Sequence, residues 1–169
     1  MVVFRYSNHI FILLVAVLLL FRCSDKLQGQ QIQTGASQLN LYSPLIKGKK
    51  IGLVANHTST LGSVHLADTL LRTGHFIQKI FAPEHGFRGI ADAGKDISDS
   101  IDFKTGIPIM SLYGAKKKPT AHDLAGIDVM IYDIQDVGVR FFTYISTLHF
   151  IMEACAENHV PLIILDRPN

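Results

Sequence analysis

The sequence contains little charge and little cysteine: 18% of its 169 residues are charged, two are cysteines, and tryptophan is absent. Because 48% of the residues are hydrophobic, the composition excludes an intrinsically disordered chain. Its 16 lysines and arginines stand against 14 aspartates and glutamates, so no excess of positive charge points to nucleic-acid binding. The two cysteines give no indication of a disulfide framework.

Several motifs of common site types are also missing. The sequence has no G-x-G-x-x-G or G-x-x-x-x-G-K-[ST] for nucleotides, no G-x-S-x-G for a serine hydrolase, and no H-E-x-x-H for a metal. His57, Glu84, His85 and Asp133 are possible metal-ligand types, but no Cys/His pair has ligand spacing. We therefore expect no cofactor and no metal.

One long apolar run lies near the N-terminus, where Ile10–Phe21 is hydrophobic throughout. The run is preceded by Arg5 and is too short to span a bilayer, but it fits the core of a secretory signal. We predict a signal segment over residues 1–22 and an exported protein. Cys23 stands where a lipoprotein signal places its lipidated cysteine, although Arg22 replaces the usual small residue. Membrane anchoring through Cys23 and release into the periplasm are both open.

The rest of the chain divides into a polar tether over residues 23–46 and a predicted domain over residues 47–169. Its predicted strands are Ile51–Ala55, Phe76–Ala82, Ile107–Leu112, Ile127–Ile134 and Val160–Leu165. Its predicted helices are one N-capped by Ser63, then Thr120–Leu124 and Thr143–Asn158. Continuous apolar runs are typical of strands covered on both faces, so we predict an α/β fold, a mostly parallel sheet with helices on both faces. No helix follows the last strand, and we expect the chain to be truncated.

Polar residues follow the predicted strands at their carboxyl ends, where open α/β sheets bind ligands. The candidates are Asn56 after the first strand, Glu84, His85 and Arg88 after the second, Asp133, Gln135, Asp136 and Arg140 at the fourth, and Asp166 and Arg167 after the last. Glycoside hydrolysis uses one carboxyl group to protonate the leaving oxygen and another group to attack carbon or activate water. Glu84 and Asp136 fit these roles, and a capping role is the alternative for each. We interpret the run Lys116–Lys118 as a solvated loop.

The longer motifs resemble one family, the bacterial exo-β-N-acetylmuramidases of glycoside hydrolase family 171. The matching segments are Ala82–Gly89, Lys104–Pro108, Ser111–Gly114, Lys118–Thr120, Asp133–Gly138, Arg140–Thr147 and Leu165–Asn169. The resemblance extends from about Gly52 to Asn169. It implies a Rossmann-like domain that bears the catalytic glutamate and is followed by a C-terminal domain. It also implies release of N-acetylmuramic acid from the non-reducing end of peptidoglycan fragments in cell-wall turnover and recycling.

The resemblance places the family's catalytic glutamate on Glu84. Asp136 is predicted as the second catalytic residue, and Arg140 as a partner for the substrate carboxylate. The predicted substrate-binding residues are Asn56, His85, Arg88, Asp133, Gln135, Arg140, Tyr144, Asp166 and Arg167. The expected partners are muramic-acid saccharides derived from peptidoglycan. Two alternatives are a non-catalytic receptor for cell-wall saccharides and a metal-dependent hydrolase.

Overall fold

The computed structural model describes residues 32–84, 86–89 and 99–168. The predicted signal segment, Cys23 and His85 therefore lie outside the described residues. Among those described, no helix is both long enough and apolar enough to cross a membrane.

A six-stranded sheet forms the centre of the domain. The strands of the domain are β1 Lys50–Ala55, β2 Thr60–Leu61, β3 Val64–His65, β4 Phe76–Ala82, β5 Ser100–Ile101, β6 Pro108–Ser111, β7 Val129–Asp133 and β8 Leu162–Ile164. The sheet order is β5-β6-β4-β1-β7-β8, and β2 and β3 form a separate antiparallel ribbon. All neighbours in the sheet are parallel except β5, which is antiparallel to β6. The five parallel strands thus follow the 3-2-1-4-5 order of a Rossmann fold, which confirms the predicted fold class.

Helices cover both faces of this sheet. The helices are α1 Leu39–Ile46, α2 Leu66–Arg72, α3 Ala121–Leu124 and α4 Tyr144–Glu157, with a 3₁₀ turn at Gly35–Ser37. Residues of α1 and α2 pack on one face with Ile51 and Leu53, whereas residues of α3 and α4 pack on the other with Val54 and Met130. Successive side chains of a strand point to opposite faces of the sheet. Because helices cover both faces, β1 is buried on both sides and its sequence is one continuous apolar run.

The prediction of a polar tether over residues 23–46 is wrong for the last part of that range, because α1 lies within it. Tyr42 and Ile46 are buried in the core, and the Tyr42 hydroxyl donates a hydrogen bond of 3.0 Å to the Ala36 carbonyl. A helix with Pro44 in its sequence and only two buried side chains has a weak periodic signal. Its position is determined by packing against the sheet.

The predicted N-cap Ser63 is also wrong. Val64 and His65 pair with β2 in the ribbon, so the helix begins only at Leu66. His65 caps it instead, since the Nδ1 atom of its ring accepts a hydrogen bond of 3.2 Å from the Ala67 amide. The ribbon uses two residues from each strand, too few for alternation to be visible in the sequence.

Candidate active site

The candidate site lies at the carboxyl edge of the sheet, where the strand order reverses. β1 has β4 on one side and β7 on the other, so the topological switch point is at β1. The residues that follow these strands and β8 include Asn56, Glu84, Asp136 and Arg167. The structure therefore brings the predicted candidates that follow the strands to one edge of the sheet.

Asp133 and Arg167 form a buried ion pair at this edge. Arg167 donates from Nε to Asp133 Oδ1 over 2.6 Å and from Nη2 to Oδ2 over 2.9 Å, and its Nη2 also donates to the Thr60 carbonyl over 3.1 Å. The Asp133 side chain is fully buried, and that of Arg167 is 7% exposed. Burial raises the pKa of the Asp133 carboxyl, and the Arg167 guanidinium opposes that shift. These two predicted substrate-binding residues thus bind each other and fasten the ends of β7 and β8.

The loop after β1 is tied to β7 by a chain of hydrogen bonds. Asn56 is completely buried, and its Oδ1 accepts from the Thr58 amide over 2.9 Å and from the Thr58 hydroxyl over 2.6 Å. The Ser59 hydroxyl donates to the Asp133 backbone carbonyl, while the Gln135 backbone amide donates to Thr58 Oγ1 over 3.0 Å. One buried donor stays unsatisfied: Asn56 Nδ2 has no hydrogen-bond partner among the described residues. A buried amide nitrogen without a partner is costly unless a ligand or water accepts from it.

Both Asn56 and Glu84 influence the Tyr144 hydroxyl, at the start of α4, electrostatically. Burial raises the pKa of the Tyr144 hydroxyl, the Asn56 side chain lowers it, and the Glu84 charge raises it. Three predicted site residues from three separate segments are therefore electrostatic neighbours.

Glu84 lines a pocket of about 310 Å³. The described lining residues are Glu84, Leu112, Tyr113, Lys117, Thr143, Ser146, Thr147 and Phe150. We call this the Glu84 pocket. The glutamate is half-buried and makes no hydrogen bond or ion pair with another described residue. Its carboxyl group is thus available to a molecule in the pocket.

Asp136 does not line the Glu84 pocket. It lies in a second pocket of about 230 Å³, which also contains Tyr144, Asp166 and Arg167 among its lining residues. Asp166 is exposed, and its carbonyl accepts a hydrogen bond of 2.6 Å from the Gly35 amide. The two predicted catalytic carboxylates thus lie in different pockets, on either side of the first turn of α4.

Arg88 anchors the turn that carries Glu84. Its guanidinium donates to both carboxylate oxygens of Asp102, over 2.8 and 2.9 Å, and to those of Asp68, over 3.0 and 3.3 Å. It also lies 4.8 Å from the centre of the Phe87 ring, which is buried in the core. Burial opposes ionisation of Asp102, but the hydrogen bonds from Arg88 and Thr105 outweigh it and hold the pKa of that carboxyl below its usual range. Predicted to bind substrate, Arg88 here joins its own loop to α2 and to the loop after β5.

Two further candidates have different surroundings. Gln135 Nε2 donates to the carbonyls of Asp136 and Pro168, over 2.8 Å in each case, so it links the loops after β7 and β8. Arg140 is exposed and is not among the described lining residues of either pocket. The described residues contain no group of three or more His, Cys, Asp or Glu side chains arranged to hold a metal ion.

Four polar residues that line the Glu84 pocket were not predicted as site residues from the sequence. They are Lys117, Thr143, Ser146 and Thr147. The spacing of Thr143, Ser146 and Thr147 places their hydroxyls on one face of a helix. This spacing is the feature of the sequence from which a polar lining could have been predicted. Lys117 gave no such signal, because a lysine run in a loop is usually solvated.

The fold and the site together define a Rossmann-like α/β domain with an acidic side chain in a pocket at the carboxyl edge of its sheet. The chain belongs to the family described as exo-beta-N-acetylmuramidase NamZ, N-terminal, whose model matches residues 51–169. This confirms the resemblance drawn from the motifs.

Similar proteins include the peptidoglycan beta-N-acetylmuramidase NamZ of Bacillus subtilis (strain 168), which is 45% identical over 142 residues. That alignment covers 82% of this chain and 34% of the relative. Two crystal structures of DUF1343 family proteins from Bacteroides fragilis are 44% and 41% identical, with TM-scores of 0.70 and 0.72. They cover 80% and 81% of this chain, and 35% of each solved chain is matched. This chain thus spans about a third of the length of these relatives.

Proposed function

We propose that this domain supplies the general acid of an exo-acting β-N-acetylmuramidase that releases N-acetylmuramic acid from the non-reducing end of peptidoglycan fragments. The observation that carries this proposal is Glu84, a half-buried carboxyl group that lines a pocket and has no hydrogen-bond or ion-pair partner among the described residues. The name of the B. subtilis relative supports the choice of substrate. The products fit a role in cell-wall turnover and recycling.

In this mechanism the Glu84 carboxyl donates its proton to the glycosidic oxygen as the bond from that oxygen to the anomeric carbon breaks. The leaving sugar departs as a neutral alcohol, and water finally supplies the hydroxyl at the anomeric carbon. Arg88 acts at a distance, because its bonds to Asp68 and Asp102 fix the turn on which Glu84 lies. The Thr143, Ser146 and Thr147 hydroxyls line the same pocket as the carboxyl group.

Glu84→Gln in the full-length protein tests this assignment. The amide preserves shape but has no acidic proton, so we expect hydrolysis of natural disaccharides to fall by roughly 10²–10⁴-fold. The rate of hydrolysis of a chromogenic β-N-acetylmuramide, whose leaving group needs no protonation, should fall much less. Asp128→Asn is the matched control, since Asp128 is an exposed carboxylate before β7 that does not line the Glu84 pocket. Equal losses on both substrates would make Glu84 a nucleophile or an orienting group, and saturable sugar binding by the wild type without hydrolysis would make the protein a receptor.

We also propose that the protein is exported, on the basis of the apolar run Ile10–Phe21 and the cysteine at position 23. Mass spectrometry of protein from a native-like host is expected to show loss of residues 1–22, with lipid on Cys23 or with cleavage nearby. An intact Met1 on a cytosolic species would contradict export.

A further inference from the structure

Three consecutive lysines, Lys116–Lys118, have different surroundings in the structure. Lys116 Nζ contacts Asp123 Oδ1 on α3 at 3.0 Å. Lys118 Nζ contacts two glutamates of α4, Glu157 at 2.8 Å and Glu153 at 3.3 Å. Lys117, between them, makes no ion pair with any described carboxylate and lines the Glu84 pocket.

The two outer lysines hold the loop in place around Lys117. Asp123 is 4% exposed, and its carboxylate also completes a capping box with Thr120, whose amide and hydroxyl both donate to it over 2.8 Å. Burial opposes ionisation of Asp123, but its bonds from Thr120 and Lys116 outweigh it and hold the pKa of that carboxyl below its usual range. Since the loop is fastened to α3 on one side and to α4 on the other, the position of Lys117 at the pocket is determined by its neighbours.

The chemistry of the pocket lining matches one feature of a muramic acid residue. Muramic acid differs from glucosamine by a lactyl ether on the ring, and that ether ends in a carboxylate. Lys117 is the single cation among the described residues that line the Glu84 pocket, and its ammonium group is a three-donor point charge suited to a carboxylate. Thr143, Ser146 and Thr147 add hydroxyl groups to the same lining.

We propose that Lys117 binds the lactyl carboxylate and makes the Glu84 pocket select muramic acid over glucosamine. The inference rests on the proposed function, because it identifies the sugar that Glu84 acts upon. It reassigns the role that the sequence predicted for Arg140, which lies outside the described lining of this pocket.

The test compares enzyme and substrate changes in the full-length protein. The substrates are a chromogenic β-N-acetylmuramide, the same muramide with its lactyl carboxylate converted to an amide, and the corresponding glucosaminide. For Lys117→Met we expect kcat/KM to fall about 10- to 100-fold on the muramide, the usual range for a charged hydrogen bond, and to stay unchanged on the other two. Lys49→Met, at an exposed lysine just before β1, is the matched control and should leave all three values unchanged, and Lys117→Arg should restore part of the loss.

A binding measurement separates this inference from the proposed function. Calorimetry with N-acetylmuramic acid and with its lactyl amide should show weaker binding of the acid to Lys117→Met, whether or not the wild type hydrolyses any muramide. If the wild type binds but does not hydrolyse, the proposed function fails and the role of Lys117 stands. If Lys117→Met binds the acid and the amide with equally reduced affinity, the assignment of Lys117 is overturned. The same holds if Arg140→Met alone loses affinity for the acid and not for the amide.

Discussion

Charged side chains at the carboxyl edge of the sheet fall into two groups. At the end of β7, Asp133 and Arg167 are buried and bind each other through two hydrogen bonds of 2.6 and 2.9 Å. In the Glu84 pocket, Glu84 and Lys117 line open space and have no ion-pair partner among the described residues. Sequence patterns marked Asp133, Arg167 and Glu84 alike as candidates for binding or catalysis.

The difference between the two groups follows from the cost of removing a charge from water. A buried charge is tolerated only when a partner and hydrogen bonds compensate its lost hydration, so Asp133 and Arg167 are committed to each other. A charged group on the wall of an open pocket keeps its hydration until a ligand displaces the water. Paired residues at this edge therefore stabilise the fold, and unpaired ones are available for chemistry.

The largest expected effect comes from breaking the buried pair. Asp133→Ala should lower the free energy of unfolding by about 3–5 kcal/mol, because it leaves the Arg167 charge buried without its partner. Urea unfolding measures the change. The matched control is Asp128→Ala at an exposed site that accepts one hydrogen bond of 2.8 Å from the Lys50 amide, and it should cost about 0.5–1.5 kcal/mol.

A double replacement sharpens that result. Asp133→Leu combined with Arg167→Met removes both charges, and most of the lost stability should return because apolar residues of similar volume can replace a buried ion pair. A double variant as unstable as Asp133→Ala would show that the pair contributes more than mutual compensation of charge.

A smaller effect on stability, with a distinct effect on activity, is expected at Arg88. Arg88→Met leaves Asp102, whose side chain is 2% exposed, without its main partner, so stability should fall by about 1–3 kcal/mol. Because Arg88 holds the turn that carries Glu84, we expect kcat to fall while KM changes little. A rise in KM at constant kcat would instead support the substrate-binding role that the sequence predicted for Arg88.

The smallest expected effect is a pH dependence located beside the site. His65 is buried, and burial lowers the pKa of its ring below 6.5, although its hydrogen bond to the Asn56 carbonyl opposes the shift. The unfolded chain then binds a proton more readily than the folded one, so the free energy of unfolding should fall as pH decreases from 6.5. The slope is at most about 1.4 kcal/mol per pH unit for one proton.

Urea unfolding at several pH values checks the His65 prediction. His65→Gln should remove this part of the slope, whereas His122→Gln, at an exposed position on α3, should leave it unchanged. An unchanged slope in His65→Gln would show that another group causes the pH dependence.

The strands were the part of the fold that the sequence predicted best. All five predicted strands are present, and the continuous apolar runs of β1 and β7 arise because neighbours cover both faces of these strands. α4 was predicted to within about one residue at each end, since apolar residues recur in this segment at helical spacing. By contrast, β5 and the β2–β3 ribbon have two residues per strand, and so short a segment shows no period.

The candidate site could be predicted in part. Glu84 was found because a turn directly after a buried strand lies at the binding edge of an α/β sheet, and because its motif resembles one family. Asp136 was paired with it on chemical grounds alone, and the structure places that carboxylate in the neighbouring pocket. Lys117 was missed, since three consecutive lysines look alike until the fold supplies carboxylates for the outer two.

By itself the sequence determined the features that depend on neighbouring residues: the strands, the main helix, the parallel α/β class and the turn that bears Glu84. Only the tertiary structure decided which charges are paired, because Arg88 meets Asp102 across 14 positions of the chain and Arg167 meets Asp133 across 34. A charged residue looks the same in a sequence whether its partner is a distant side chain or a substrate. The pairing depends on how the strands are ordered in the sheet, and it is this pairing that separates the residues that hold the edge together from those that are available to a ligand.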